Sequence, residues 1–287
     1  MGREPLRRAW PTLDGAVTPV VAAGPEDAAE AVVFVHGSPG SAEDWADLVG
    51  RVGAHARAVA PTMPGFARAG IPDGFDHSAA AYADRLDRVL GEIGVERAHL
   101  VLHDFGGLWG LTWAARDPGR VAGLTLVNTG CMIGYRWHAL ARAWRTPLLG
   151  ELVMRTTTRG VFGRLLRRGP RPLPAAFVRR TYDDFDRGTR DTVLRLYRGA
   201  GDVSEASARL RRPLRAHRYP VQVIWGARDP YLPVRYAHLQ REVFPRAQVA
   251  VLPFSGHWPF ADDPEGVAGT LVPFVARTMS FSVRTGP

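Results

Sequence analysis

The chain alternates between short apolar runs and longer stretches in which apolar residues recur at helical spacing. Residues 31–35 form a continuous apolar run that ends in a Gly/Pro turn, as a buried strand does. Similar runs predict further strands at 58–60, 98–102, 124–127, 221–225 and 249–252. The intervening pattern predicts helices at 78–93, 105–116 and 266–279. Continuous apolar strands are typical of a sheet covered on both faces, so we predict an α/β fold with a mostly parallel central sheet flanked by helices.

The region from 132 to 219 breaks this alternation. Its pattern is helical throughout, and it lies between the predicted strands at 124–127 and 221–225. We therefore predict a core domain formed by residues 1–131 and 220–287, with residues 132–219 inserted as a helical cap. Ligand sites in open α/β sheets lie at the carboxyl ends of the strands. A cap above that edge would supply the walls of a pocket and exclude water.

The charged residues are unusual, because the chain has no lysine and all 37 basic residues are arginine, giving a net charge of +9. Residues 151–220 hold 17 arginines against 7 acidic residues. These arginines are scattered, often beside acidic residues, and match no nucleic-acid-binding motif. We interpret them as a solvated helical surface and expect no nucleic-acid partner.

Other broad function classes are also disfavoured. No apolar run approaches the roughly 20 residues that cross a bilayer, and the N-terminal residues lack the apolar stretch of a secretion signal. We therefore expect a cytoplasmic protein without a membrane partner. Cys131 is the only cysteine, which excludes an internal disulfide and a multi-cysteine metal site. We expect neither a metal nor another cofactor, and nothing in the pattern predicts the oligomeric state.

Candidate catalytic residues follow the predicted strands, where they would meet at one edge of the sheet. Asp104 lies at the turn between the strand at 98–102 and the helix at 105–116, and Asp229 and His257 follow the last two strands. The order nucleophile, acid, base is that of the α/β-hydrolase fold, in which a serine occupies the turn. A carboxylate in its place suits displacement at a saturated carbon, which gives an alkyl ester of the enzyme. A role for Asp104 as a helix N-cap alone would leave Asp229 and His257 unexplained.

These motifs give the chain a family resemblance over roughly residues 30–275. His36-Gly37-Ser38-Pro39, His103-Asp104-Phe105-Gly106-Gly107, Asp229 and His257 resemble the carboxylate-nucleophile branch of the α/β hydrolases, which includes epoxide hydrolases and haloalkane dehalogenases. The resemblance implies that Asp104 forms the ester, His257 activates the water that hydrolyses it, and Asp229 orients His257. It also implies an oxyanion hole formed by the backbone N–H groups of Ser38 and Phe105. His36 and His103 are expected to be structural.

Two positions depart from what the dehalogenases typically carry. Those enzymes bind the departing halide with an indole directly after the nucleophile and with an amide elsewhere, but this chain has Phe105 and Ser38 at these positions. In addition, Leu102 replaces the glycine that many nucleophile turns have two residues before the nucleophile. A bulky residue there also occurs among dehalogenases. Trp137, Trp144 or Trp258 could replace one of the missing donors, but no local pattern indicates this. The missing donors therefore disfavour a halide leaving group.

Epoxide hydrolases protonate the opening ring with one or two tyrosines of the cap. Leu196-Tyr197-Arg198 resembles the Tyr-Arg dipeptide that carries one of them, and Tyr135, Tyr182 and Trp137 are candidates for a further donor. We therefore expect an epoxide hydrolase that acts on a largely apolar small molecule. Haloalkane dehalogenase is the alternative, followed by an ester or lactone hydrolase and by a non-catalytic binding protein of this fold.

Overall fold

The computed structural model describes residues 2–166 and 171–283, and a mixed sheet of eight strands lies at its centre. The strands along the chain are β1 (Arg7–Ala9), β2 (Thr12–Leu13), β3 (Ala16–Val17), β4 (Val20–Ala23), β5 (Glu30–Val35), β6 (Arg57–Pro61), β7 (Arg97–His103), β8 (Val121–Val127), β9 (Val221–Gly226) and β10 (Gln248–Leu252). The order in the sheet is β1-β4-β6-β5-β7-β8-β9-β10, and β2 pairs with β3 separately. The strands from β6 to β10 in this order are parallel to one another, whereas β4 runs antiparallel to both of its neighbours, β1 and β6. The predicted mostly parallel sheet is confirmed.

Helices cover both faces of the sheet because the central strands are apolar on both sides. Those outside the region 132–219 are α1 (Ala46–Gly53), α2 (Ala79–Glu92), α3 (Phe105–Arg116), α10 (Arg235–Leu239), α11 (Pro259–Asp262) and α12 (Pro264–Val283). The start of α2 is fixed by Ser78, whose hydroxyl accepts a hydrogen bond from the N–H of Ala81 at 3.1 Å. Tyr82, Leu86 and Leu90 recur at helical spacing and are fully buried. The α/β class follows from this packing, as predicted.

The region between β8 and β9 is helical. It contains α4 (Ala139–Arg145), α5 (Leu149–Thr156), α6 (Arg159–Leu166), α7 (Ala175–Asp183), α8 (Arg187–Gly199) and α9 (Val203–Arg215). We call residues 132–219 the cap, and their division from the core as a separate domain stays a prediction. One contact between the two parts joins Arg180 of α7 to the carboxylate of Asp44 and, at 2.9 Å, to the carbonyl of Glu43. Within the described residues, no helix is long and apolar enough to span a bilayer.

The bulky Leu102 near the end of β7 is accommodated by a glycine in the neighbouring helix. A β-carbon on Gly110 of α3 would lie 2.4 Å from Cδ2 of Leu102, far inside van der Waals contact. Leu102 is fully buried, and because protein interiors are close-packed we expect little room for its side chain to move. The volume added at position 102 is therefore matched by the volume missing at position 110.

Substitution of Gly110 by alanine tests this packing. Alanine normally stabilises a helix interior by roughly 0.5–1 kcal/mol relative to glycine, and we expect this gain for Gly91→Ala in α2, where a β-carbon meets nothing within 4 Å. Gly110→Ala should instead destabilise by about 1–3 kcal/mol, because it overpacks the core. Urea unfolding of both variants measures the difference. Combining Gly110→Ala with Leu102→Ala should cost less than the sum of the single changes, and simple additivity would contradict the packing argument.

Candidate active site

The candidate nucleophile lies on a strained turn. Asp104, between β7 and α3, has φ 48° and ψ −123°, a backbone conformation that is uncommon for a residue with a side chain. Close backbone approach makes the turn possible, because a β-carbon on Gly106 would lie 2.5 Å from the carbonyl oxygen of Val35. On the other side, a β-carbon on Gly37 would lie 2.4 Å from Cβ of Asp104. Thr129 then secures the turn by donating its hydroxyl to the Asp104 carbonyl at 2.6 Å.

Two backbone N–H groups point at the Asp104 carboxylate. The N–H of Ser38 donates to Oδ1 at 2.9 Å, and the N–H of Phe105 donates to the same carboxylate. These are the two donors expected to form the oxyanion hole. In the free enzyme the N–H of Ser38 holds Oδ1, whereas the other oxygen, Oδ2, is the one nearer to His257 and is the candidate for attack. In a tetrahedral intermediate each donor would contribute about 3–4 kcal/mol.

His257 lies next to Asp104, the candidate nucleophile, and Asp229 lies next to His257, as the sequence predicted. Nε2 of His257 is 3.7 Å from Oδ2 of Asp104, and Nδ1 lies 2.7 Å from Oδ2 of Asp229. Burial lowers the pKa of His257, but the charges of Asp229 and Asp104 outweigh this effect, so the net pKa lies above its ordinary value. Burial raises the pKa of Asp104, opposed by His257 and the two N–H donors. The arrangement is that of a nucleophile, a base and an acid that orients the base.

Asn128 is a site residue that the sequence reading missed. Its side-chain amide donates to Oδ2 of Asp229 at 2.7 Å and to the carbonyl of Gly256 at 3.2 Å, while its Oδ1 accepts from the N–H of Gly226 at 2.9 Å. The backbone N–H groups of Tyr231 and Leu232 hold the other oxygen, Oδ1, of Asp229. The acid is therefore fixed from several directions. A signal was present, since Asn128 is the first polar residue after the predicted strand at 124–127.

Two histidines near the site are held by the backbone. His36 accepts from the N–H of Met63 at Nε2, which leaves Nδ1 to donate to the carbonyl of Gly37 at 2.7 Å. Nε2 of His103 lies 2.8 Å from the carbonyl of His257, and the two rings pack at 4.8 Å. Burial lowers the pKa of His36 to about 4 and lowers that of His103 as well, so both rings are neutral near pH 7. Both contacts shape loops that carry the site.

The cavity over Asp104 is largely apolar. Leu108, Met132, Leu140, Phe162, Leu166 and Phe185 are among the side chains that line it together with Asp104 and His257. The sequence-predicted donors Tyr197, Tyr135 and Trp137 line the same cavity. Their rings pack together, with Trp137 5.5 Å from Tyr135 and 5.5 Å from Tyr197. Among the residues the structure describes, no group of acidic, histidine and cysteine side chains has the arrangement of a metal site.

The structure places Tyr182, a candidate for the further donor, apart from the other candidates. This residue of α7 does not line the cavity that contains Asp104. Its ring packs at 5.5 Å against Phe162, and the guanidinium groups of Arg159 and Arg190 lie over it at 5.3 and 5.9 Å. Cation–π contacts with two arginines hold the ring on the outer side of Phe162. A tyrosine in the right segment was not enough to place it at the site.

Both cavity tyrosines remain protonated. Burial raises the pKa of Tyr197, and the negative charge of Asp104 raises it further. The same two causes, in the same order, raise the pKa of Tyr135. Each tyrosine is therefore a neutral phenol that can donate a hydrogen bond or a proton to a group bound over Asp104.

Comparison with known proteins identifies the family. A family model described as the alpha/beta hydrolase fold matches residues 30–264. The chain belongs to the α/β-hydrolase fold family. The haloalkane dehalogenase DbeA from Bradyrhizobium elkani is 25% identical, with a TM-score of 0.82 over 96% of this chain and 99% of that one. The epoxide hydrolase CorEH shares the fold at 15% identity, with a TM-score of 0.80 over 95% of this chain and 99% of that one.

Sequence relatives of this hydrolase carry two different activities in their names. A haloalkane dehalogenase of Mesorhizobium japonicum is 29% identical over 79% of this chain and 76% of the relative. A cis-3-alkyl-4-alkyloxetan-2-one decarboxylase of Xanthomonas campestris is 29% identical over 88% of this chain and 90% of the relative. The hydrolase therefore resembles dehalogenases and oxetanone decarboxylases over most of its length.

The charge of Asp104 should control the protonation of His257. Because that charge raises the pKa of His257, Asp104→Asn, which is neutral like an ester, should move the titration midpoint of the His257 ring to lower pH. NMR titration of the ring protons measures this directly and needs no substrate. Asp84 is an exposed aspartate that pairs with Arg116. Asp84→Asn is therefore the matched control and should leave the titration midpoint of His257 unchanged. An equal midpoint in wild type and Asp104→Asn would contradict the coupling.

Proposed function

We propose that this hydrolase opens epoxides, with Asp104 attacking a saturated ring carbon and water releasing a vicinal diol. The observation that carries the proposal is the pair of neutral phenols, Tyr197 and Tyr135, which line the same cavity as the carboxylate. A departing halide needs only hydrogen bonds, but a departing alkoxide needs a proton, and a phenol can supply it because an alkoxide is the stronger base. The apolar walls favour a largely apolar epoxide.

The proposed reaction has two covalent steps. Oδ2 of Asp104 forms a bond to the ring carbon, the ring C–O bond breaks, and the ring oxygen takes a proton from a tyrosine. His257 then removes a proton from water, and the hydroxide attacks Cγ of Asp104 while Oδ1 is held by the N–H groups of Ser38 and Phe105. The bond between Cγ and Oδ2 then breaks, and the proton of the added hydroxyl moves to the departing oxygen, which releases the diol and leaves a carboxylate on residue 104. The proton on His257 returns to the tyrosinate through solvent.

The charge of Asp104 links these steps. While the carboxylate is ionised, it raises the pKa of both tyrosines and of His257. Alkylation removes that charge at the moment when negative charge appears on the ring oxygen. The phenols then become stronger acids, just as a proton is required, and His257 more readily stays neutral to act as a base. Ester formation therefore prepares the enzyme for each proton transfer.

A second candidate substrate is an oxetan-2-one. The relative from Xanthomonas campestris with this activity in its name aligns with 88% of the chain. Attack by Asp104 at the saturated ring carbon that bears the ring oxygen would release a carboxylate, which accepts hydrogen bonds from the two tyrosines. Loss of CO₂ from this opened form would expel Asp104 and leave an alkene, without a hydrolytic step.

Dehalogenation is the third candidate, because Trp137 lines the cavity beside Phe105 and its indole N–H is of the type that binds halide. The second indole or amide donor typical of those enzymes has no counterpart at Ser38. Rapid halide release from bromoalkanes would place this activity above epoxide opening.

Trapping the ester distinguishes the three reactions. We expect His257→Gln to accumulate an adduct, because ester hydrolysis needs the base. Intact-protein mass spectrometry then measures the increase in protein mass. An epoxide or an intact oxetanone adds its full mass, whereas a haloalkane adds its mass less one hydrogen halide. For an oxetanone, headspace CO₂ and alkene provide the second readout. Asp104→Asn is the control that should remain unmodified. If His257→Gln forms no adduct with epoxides, oxetanones or haloalkanes, the proposed role of Asp104 as nucleophile is contradicted.

Tyr197→Phe tests the acid. We expect alkylation of Asp104 by an epoxide to slow by roughly 10²–10⁴-fold, the range for general acid catalysis, while alkylation by a bromoalkane changes little. Rapid-quench mass spectrometry on the His257→Gln background measures both rates. Tyr182→Phe is the matched control, since this ring lies outside the cavity. Equal slowing with both substrates would show that Tyr197 shapes the cavity and does not donate the proton.

A further inference from the structure

The outer side of the cap exposes three leucines around the start of α5. Leu148, Leu149 and Leu152 are 84%, 44% and 57% exposed, respectively, and we call them the leucine patch. Leu148 is the N-cap residue of α5, and its carbonyl accepts a hydrogen bond from the N–H of Leu152 at 3.0 Å. Exposed leucines occur singly on most proteins, but three within five residues form a local apolar surface.

Leu148 is unusual in its backbone as well as its exposure. Its φ is 67°, in the left-handed region that glycine and asparagine adopt far more readily than leucine. The side chain gains no burial in return for this conformation, because most of its surface faces solvent. Strained positions of this kind concentrate at functional sites. The folded chain alone therefore gives no reason for a leucine at this position.

The segment of chain that carries the leucine patch is rich in arginine, although Arg159 is paired with Asp183. Residues 132–166 contain six arginines and one acidic residue, Glu151, which is paired with Arg198 at 2.7 Å. Arg142 and Arg155 are exposed on either side of the patch along the chain. Arg155 lies three residues after Leu152 on α5 and therefore on a neighbouring face. The leucines match an apolar layer and the arginines match anionic groups, so together they suit a surface with anionic groups over an apolar interior.

The helices that surround the leucine patch also form the wall of the cavity. Leu140 and Trp144 of α4 and Phe162 of α6 line it, as does Thr157, which directly follows α5. A β-carbon on Gly150 would lie 2.6 Å from the carbonyl of Trp144, so α5 packs directly on α4. α5 thus exposes leucines to solvent while it packs on α4, which lines the apolar cavity.

We propose that the leucine patch docks the protein on the surface of an anionic lipid bilayer. Leucines inserted at the level of the headgroups and arginines paired with anionic lipids are the two components of peripheral membrane binding. Nucleic acid would match the arginines but offers no apolar phase for three leucines. The sequence-based expectation of no membrane partner rested on the lack of a spanning segment, and surface docking needs none. Delivery of an apolar substrate from the bilayer to the cavity follows only if the proposed function is correct.

Vesicle binding without substrate tests the docking separately from the enzyme activity. The full chain should co-sediment with vesicles of phosphatidylcholine and phosphatidylglycerol in equal parts, and much less with phosphatidylcholine alone. Leu148→Gly combined with Leu152→Ser should weaken binding at least tenfold. Leu148→Gly is compatible with folding because glycine suits the positive φ. Leu239→Ser, which removes a 38% exposed leucine from α10 in the core, is the matched control and should bind as wild type does.

The arginines are tested in the same assay. Arg142→Gln with Arg155→Gln should remove most of the preference for phosphatidylglycerol, whereas Arg241→Gln, at an exposed arginine of the core, should not. Absence of phosphatidylglycerol-dependent binding in the wild type overturns the proposal, and so does full binding by the leucine double variant. Light scattering tests whether the leucine patch instead binds a second copy of the chain. If the wild type is a dimer that does not bind vesicles, and the leucine substitutions dissociate it, the patch is a dimer interface and the proposal is overturned.

Discussion

A buried carboxylate on a left-handed turn is the constraint on which this structure depends. Asp104 would be disfavoured at its position on two counts, by its backbone conformation and by the removal of its charge from water. The surrounding residues accommodate the backbone conformation and stabilise the charge. Glycines at 37 and 106 allow neighbouring backbone to approach the turn, two N–H groups donate to the carboxylate, and His257 lies within 3.7 Å of its free oxygen. Much of the architecture around the carboxyl ends of β5, β7 and β8 serves this one side chain.

The same charge organises the other titratable groups of the site. Tyr197, Tyr135 and His257 belong to different segments of the chain, yet Asp104 raises the pKa of each one. In an apolar cavity such interactions are weakly screened, so a change at the nucleophile reaches all three without any movement of the backbone. Under the proposed mechanism, the apolar walls do more than select a substrate, because alkylation of Asp104 would change the pKa of all three groups at once.

The sequence was sufficient for the elements and groups that local chemistry determines. The helix at 105–116 and the sites of Asp104, Asp229 and His257 follow from apolar runs and from polar residues at strand ends, and the structure places them together. The strands β1 to β4 were missed because none is longer than four residues, so none gives a long apolar run. Asn128 was missed because its role depends on a partner 101 residues away. The direction of the Tyr182 side chain could not be predicted, because it depends on packing with Phe162 and two arginines from other segments of the chain.

The pair Asn128 and Thr129, at the end of β8, has a broader consequence. Thr129 binds the carbonyl of Asp104 at 2.6 Å, and its neighbour Asn128 binds Asp229 at 2.7 Å. Two consecutive residues at one strand end thus bind both Asp104, the proposed nucleophile, and Asp229, the residue proposed to orient His257. The positions of the two carboxylates therefore depend on the same turn of the chain.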